Sequence, residues 1–387
     1  MSKSNFVSDY GYYNILISND TETSKEATFS ETRINPVLSN MQDWLLAVVR
    51  FKVPSTSIPL FVFEEIENPP GTFTSPYYVG FSIGNTYATP LIQNIVFDPI
   101  YANTTAVNRP YSRFMYYYSS FLKMINDALL ELFTTAKTNG AYTALLNPFT
   151  DPEALYFELD NTTSYLKLLL PYVAATGSPF VNDGTNPYIN IHISKKLFYF
   201  LAGFNSKCLI NPPLPFMDHV LLISEPEVYN NIIDLPAYQT LPARSVIQIY
   251  EDYSCLYLWN KLSRLLFTTS IPIEQELIGV KGQDGNNFQQ TLLTDFEVIP
   301  NQNGNTRDYI FYFAEYPRYQ NFTSNGDLRN MDLKIYFQTN DLETFPLMIP
   351  PGFESTVKIQ FKRKKALELL QHSSDKSYQS GGYKLMR

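Results

Sequence analysis

The chain has 387 residues, 44% of them hydrophobic, only 17% charged, and a net charge of −8. That is enough for two or three domains with large cores, and the acidic balance excludes a general nucleic-acid binder. Two cysteines, Cys208 and Cys255, cannot build a disulfide framework and fit a reducing compartment. Tyr (29) and Phe (28) are abundant and Pro (26) outnumbers Gly (16), which favours a mainly β protein with many loops. The opening MSKSNFVSDYGYYN lacks an apolar signal core. No apolar run approaches the ~18 residues of a membrane span.

In chain order, residues 1–10 read as a polar arm and 12–18 as a strand. Residues 21–36 read as loop, and 43–54 as a long apolar strand ending at Pro54. A Pro-rich stretch to residue 111 holds a further short strand at 77–84. Then FMYYYSSFLKMINDALLELFTTAKTN (114–139) runs without Pro or Gly. Phe121, Ile125, Leu129 and Leu132 recur there at three- and four-residue steps, which predicts a helix with one buried face. Strands are expected at 154–159, 164–170 and 188–193, and a short helix capped by Ser194 follows. From 246 onward the expected strands are 246–258, 263–271, 289–299, 308–315, 331–338 and 355–362. β-rich ends thus enclose a mixed α+β middle.

No enzymatic constellation emerges. His192, His219 and His372 have no Cys, His or carboxylate at ligand spacing, so no metal and no cofactor are expected. No phosphate loop, dinucleotide fingerprint or nucleophile elbow is present. Cys255 reads as a buried strand cysteine rather than a nucleophile. The acid pairs Asp151/Glu153 and Glu251/Asp252 read as surface charges, and Arg307/Asp308 and Arg329/Asp332 as loop charges or ion pairs. The segment RPYSRFMYYY (109–118) mixes Arg and Tyr as interfaces do, making Arg109, Tyr111 and Arg113 candidate interface residues.

The C-terminus adds a charge asymmetry. Residues 358–387 carry eight cations against two acids, a net +6, so residues 1–357 carry −14. Lys362, Arg363, Lys364 and Lys365 are expected to leave the sheet after Phe361 and begin a basic arm toward an anionic or acidic partner.

The closing stretch DLRNMDLKIYFQTNDLETFPLMIPPGFESTVKIQFKRKK resembles the last strands of capsid proteins in virophages and related polinton-like viruses. The matching positions are Asp332 to Tyr336, Pro346 to Gly352 and Val357 to Lys365. The order of elements is similar to that of the Sputnik-like penton family. The resemblance implies a mainly β, antiparallel single jelly roll formed by 1–60 and 240–370. An inserted α+β or β-rich upper domain at 61–239 and a tail at 371–387 complete it. It further implies a non-enzymatic, homopentameric vertex protein in the virion of an icosahedral DNA virus, made in the host cytoplasm and contacting the major capsid protein. Packaged DNA or the inner shell would meet the basic tail, and a host receptor or glycan the inserted domain. The alternatives are a receptor- or glycan-binding virion protein and a major-capsid-like jelly-roll protein.

Overall fold

The computed structural model describes residues 9–67, 73–84, 89–98, 113–149, 155–174, 176–182, 184, 187–223, 232–235, 244–274, 276–281, 287–297 and 309–364. The chain divides into two compact units. One is discontinuous and comprises residues 1–58, 262–299 and 305–387; the other comprises 59–261 and 300–304.

Among the described residues, eight strands make the frame of the discontinuous unit. They are β1 (Tyr10–Ser18), β2 (Thr28–Thr32), β3 (Trp44–Pro54), β4 (Leu262–Thr269), β5 (Asn287–Glu297), β6 (Tyr309–Phe313), β7 (Asn330–Thr339) and β8 (Glu354–Arg363). One sheet runs β1-β8-β3-β6 and the other β2-β7-β4-β5, with Leu277–Lys281 added beyond β5. Every one of these pairings is antiparallel. Gln320–Asn321 also pairs with β3 and Thr344–Pro346 with β7, so the described residues form a five-stranded and a six-stranded sheet, and their order is that of a jelly roll.

The core follows from period-two alternation. β1 turns Tyr13, Ile15 and Ile17 inward, and β8 does the same with Val357, Ile359 and Phe361. Across the sandwich, the Phe51 ring of β3 meets Phe267 of β4 at 5.1 Å and Phe296 of β5 at 4.9 Å. In β7, Leu333, Ile335 and Phe337 are buried, and so is Tyr336 between them. Tyr336 packs with Leu266, Val280 and Leu292. The Pro350-Pro351-Gly352 turn leads into β8, with Gly352 at φ 75°, which a residue without a Cβ adopts freely.

Two expectations differ here. Residues 21–36 are not all loop, because Thr28–Thr32 pairs with β7. Its side chains are half-buried or exposed, so no apolar alternation marked it. Residues 246–258 are not one strand of the jelly roll either. Arg244–Tyr250 pairs with Tyr165–Pro171 inside the middle unit, and a short helix, Leu256–Trp259, follows. Alternation identifies a strand without saying which sheet it joins.

In the middle unit one sheet orders Tyr156–Asp160, Tyr165–Pro171, Arg244–Tyr250 and Ile232–Leu235. A second orders Ser206–Cys208, His219–Leu221, Ile189–Ile193, Tyr78–Ile83 and Leu91–Asn94. The long helix α1 spans Tyr118–Thr138. It starts later than the pattern suggests because Phe114–Met115 pairs as a strand with Phe61–Val62. Its Phe121, Ile125, Leu129 and Leu132 are buried in a core shared with Phe61, Tyr77, Phe200 and Trp259. Ser194 caps the short helix Lys195–Phe198, its hydroxyl accepting from the Leu197 N–H.

Candidate interaction face and side-chain clusters

The alternation that fills the jelly-roll core turns a different set of side chains to the outside of the first sheet. Tyr10, Tyr12 and Leu16 of β1 are exposed, and Lys358, Gln360 and Lys362 of β8 lie beside them half-buried. Arg50 of β3 and Phe311 and Phe313 of β6 continue the face. Phe311 and Phe313 are 65% and 69% exposed. A shallow cavity of about 470 Å³ on this face is lined by Tyr10, Tyr12, Arg50, Phe313, Tyr319 and Lys362, among others.

Polar contacts hold these rings in place. Tyr319 donates its hydroxyl to Gln360 Oε1 at 2.5 Å, and Gln360 Nε2 donates to the Tyr12 hydroxyl at 2.9 Å. Lys358 Nζ lies 4.4 Å from the Tyr12 ring centroid, and Lys362 Nζ lies 5.8 Å from that of Tyr10 and 5.5 Å from that of Tyr319. Such cation–π contacts orient the ammonium groups while leaving their charge available. Rigid aromatic rings interleaved with cations suit recognition of another protein surface.

The basic cluster therefore differs from the expected arm. Lys362 and Arg363 do not leave the sheet. Lys362 pairs with Tyr10 on one side and Leu45 on the other, and Arg363 pairs with Trp44. Arg363 also sets its guanidinium 5.5 Å from the Trp44 ring. Pairing continues because β3 reaches both residues and β1 reaches Lys362, while the Arg363 N–H donates to the carbonyl of Asp9, just ahead of β1. Lys364 follows the strand directly and is half-buried, while Lys365 and the tail beyond it lie outside the described residues.

Arg109 and Tyr111 also fall outside the described residues. Arg113 serves the interior of the middle unit. Its Nε lies 2.7 Å from Glu65 Oε2, with the two side chains 15% and 8% exposed, and its guanidinium stacks 4.9 Å over the Phe97 ring.

The remaining chemical candidates have structural work. Cys255 is fully buried and precedes a helix rather than sitting in a strand. Its thiol donates to the Phe200 carbonyl, and burial pushes its pKa up to about 12, so little thiolate forms. Glu251 is buried as well; its carboxylate accepts from the Leu166 and Cys255 N–H groups at 2.9 and 3.2 Å. Gly203 sits against it so closely that a Cβ there would lie 2.5 Å from Glu251 Oε2 and 2.3 Å from the Tyr253 carbonyl oxygen. Asp332 accepts from the N–H and hydroxyl of Ser270, and Arg329 pairs with Asp327. Asp151, Glu153, Arg307 and Asp308 lie outside the described residues.

One grouping escaped the sequence reading. Cys208, Asp218 and His219 bring their ligand-type atoms within 4.8 Å of one another. Asp218 lies ten positions after Cys208, and only strand pairing brings them together. The signal available in the sequence was the Asp-His dipeptide closing a Pro-rich loop that Cys208 opens.

The discontinuous unit is a jelly roll with a large insertion between β3 and β4, a fold that viral capsid and lectin domains share. The chain matches the family model of the Sputnik minor capsid protein V18/19 over residues 11–363, and it belongs to that family. It is 36% identical over 144 residues to the uncharacterized protein V18 of Sputnik virophage, an alignment covering 32% of this chain and 83% of that protein. A chain in the cryo-EM structure of the Sputnik virophage superposes with a TM-score of 0.67 at 24% identity, covering 93% of this chain and 99% of that one. The mavirus penton protein superposes with a TM-score of 0.54 at 16% identity, covering 92% and 99%. The chain is thus a virophage-type minor capsid component of the virion, a structural protein and not an enzyme.

Proposed function

We propose that the chain forms homopentamers at the five-fold vertices of an icosahedral double-stranded DNA virus, seated between capsomers of the major capsid protein. In this reading the discontinuous unit builds the shell and the middle unit is its inserted domain. The observation that carries it is the outer face of the first sheet, where Tyr10, Tyr12, Phe311 and Phe313 expose large rings among Arg50, Lys358 and Lys362. An exposed aromatic patch of this kind calls for a protein partner. A second copy of the chain has suitable charge, since residues 1–357 carry a strong acidic excess that complements the cations of the face. Family membership and the likeness to a protein named as a penton support the vertex position. The free cysteines fit production in the host cytoplasm.

The test is a double substitution, Phe311→Asp with Phe313→Asp. Both rings are solvent-exposed, so the isolated subunit should keep its circular dichroism spectrum and thermal midpoint. Its incorporation into particles should fall at least tenfold. Normal incorporation of a folded double variant would overturn the assignment of this face.

A further inference from the structure

We propose that Cys208, Asp218 and His219 form a binding site for one divalent transition-metal ion of the zinc class. Ser206–Cys208 and His219–Leu221 are adjacent antiparallel strands, and their register sets Cys208 directly opposite His219. The Leu209 N–H donates to the Asp218 carbonyl at 2.7 Å, which fixes the strand ends where the three side chains converge. The Cys208 thiol, a carboxylate oxygen of Asp218 and a ring nitrogen of His219 lie within 4.8 Å of one another. Tetrahedral zinc spaces such ligands about 3.3–3.8 Å apart, so a side-chain shift of roughly an ångström closes the site.

The imidazole is already oriented. It stacks on Phe198 with ring centroids 3.9 Å apart and planes within 13°. Its Nδ1 lies 2.8 Å from Asp218 Oδ1. Cys208 is exposed, which gives the ion an entry path, and its thiol makes a long 4.0 Å contact with the Leu209 carbonyl oxygen. One thiolate, one imidazole and one carboxylate make a borderline-soft donor set. Such a set selects zinc-class ions over calcium and magnesium, which take oxygen ligands. Three protein ligands leave a fourth position for water or for a group from another molecule.

Binding has a mechanical consequence. The ligands sit at the two ends of the loop 209–218, so an ion ties those ends together. That loop holds Pro212, Pro213 and Pro215 and presents Ile210, which is 95% exposed.

The experiment is titration of the full-length protein, stripped by chelator, with Co²⁺ as a spectroscopic stand-in for Zn²⁺. One equivalent should bind with a thiolate-to-cobalt charge-transfer band. Cys208→Ser should abolish that band without altering the circular dichroism spectrum, since Cys208 is exposed and Cys255, the other thiol, is buried. Asp218→Asn should weaken Co²⁺ binding at least tenfold. Absence of the band at millimolar Co²⁺, its persistence in Cys208→Ser, or unchanged affinity in Asp218→Asn would each overturn the three-residue site.

Discussion

Arg113 and Glu65 illustrate how single residues hold the middle unit. Burial raises the pKa of Glu65, and the Arg113 charge and hydrogen bond oppose that rise. Arg113→Ala would leave a largely desolvated carboxylate without its cation, and we expect a loss of roughly 3 kcal/mol. A lowered midpoint in urea unfolding would register it, and a change under about 0.5 kcal/mol would contradict the pairing. His192 gives a pH signature. It is fully buried, with Nε2 2.7 Å from the Ser82 hydroxyl, and burial lowers its pKa to about 4. In the unfolded chain the pKa is about 6.5, so between those values the unfolded state binds more protons. The stability associated with neutral His192 is therefore fully present above about pH 6.5 and is lost as pH falls toward 4. The loss reaches at most about 3 kcal/mol. Unfolding free energies between pH 7 and 4.5 should fall more steeply for the unaltered protein than for His192→Asn; parallel curves would exclude the effect. Neither partner relation was legible in the sequence. Glu65 and Arg113 lie far apart in the chain, and His192 meets Ser82 only because their strands pair.

At the scale of elements, legibility followed apolar periodicity. β8 stood out because it buries alternate side chains against a defined core, and β7 because its apolar residues alternate, although from Ile335 on it is buried on both faces. The face of α1 stood out for the corresponding helical reason. Thr28–Thr32 did not, because an edge strand with polar, half-exposed side chains carries no hydrophobic period. Arg244–Tyr250 was readable as a strand but not as a member of the middle unit. Its Ile247 packs in the core of that unit, and only the fold reveals this. Leu129 is fully buried on α1 among aromatic residues. Leu129→Asp should cost several kcal/mol, about 3–5, since a charge would enter an apolar core. Thermal unfolding measures this, and an unchanged midpoint would contradict the packing. Gly203→Ala should also destabilise the middle unit, because the added Cβ has no room beside the Tyr253 carbonyl oxygen. A midpoint equal to that of the unaltered protein would show that the backbone there can yield.

For the whole molecule, the sequence showed β-rich ends around a mixed middle, and a closing motif resembling virophage capsid proteins. It did not show that the first sheet presents Tyr10, Phe311, Phe313 and Lys362 on one face, because those residues come from three strands at opposite ends of the chain. Nor did it show that Lys362 and Arg363 belong to β8. A run of cations reads as a solvated arm until pairing partners on both sides are known. The central claim is that five copies of this jelly roll surround each vertex of the particle. A cryo-EM reconstruction of purified virions tests it most directly. The account predicts this chain in the density around every five-fold axis, with the outer face of its first sheet against the neighbouring copy. Finding the chain at major-capsomer positions, or finding that face turned to solvent in the assembled shell, would contradict it.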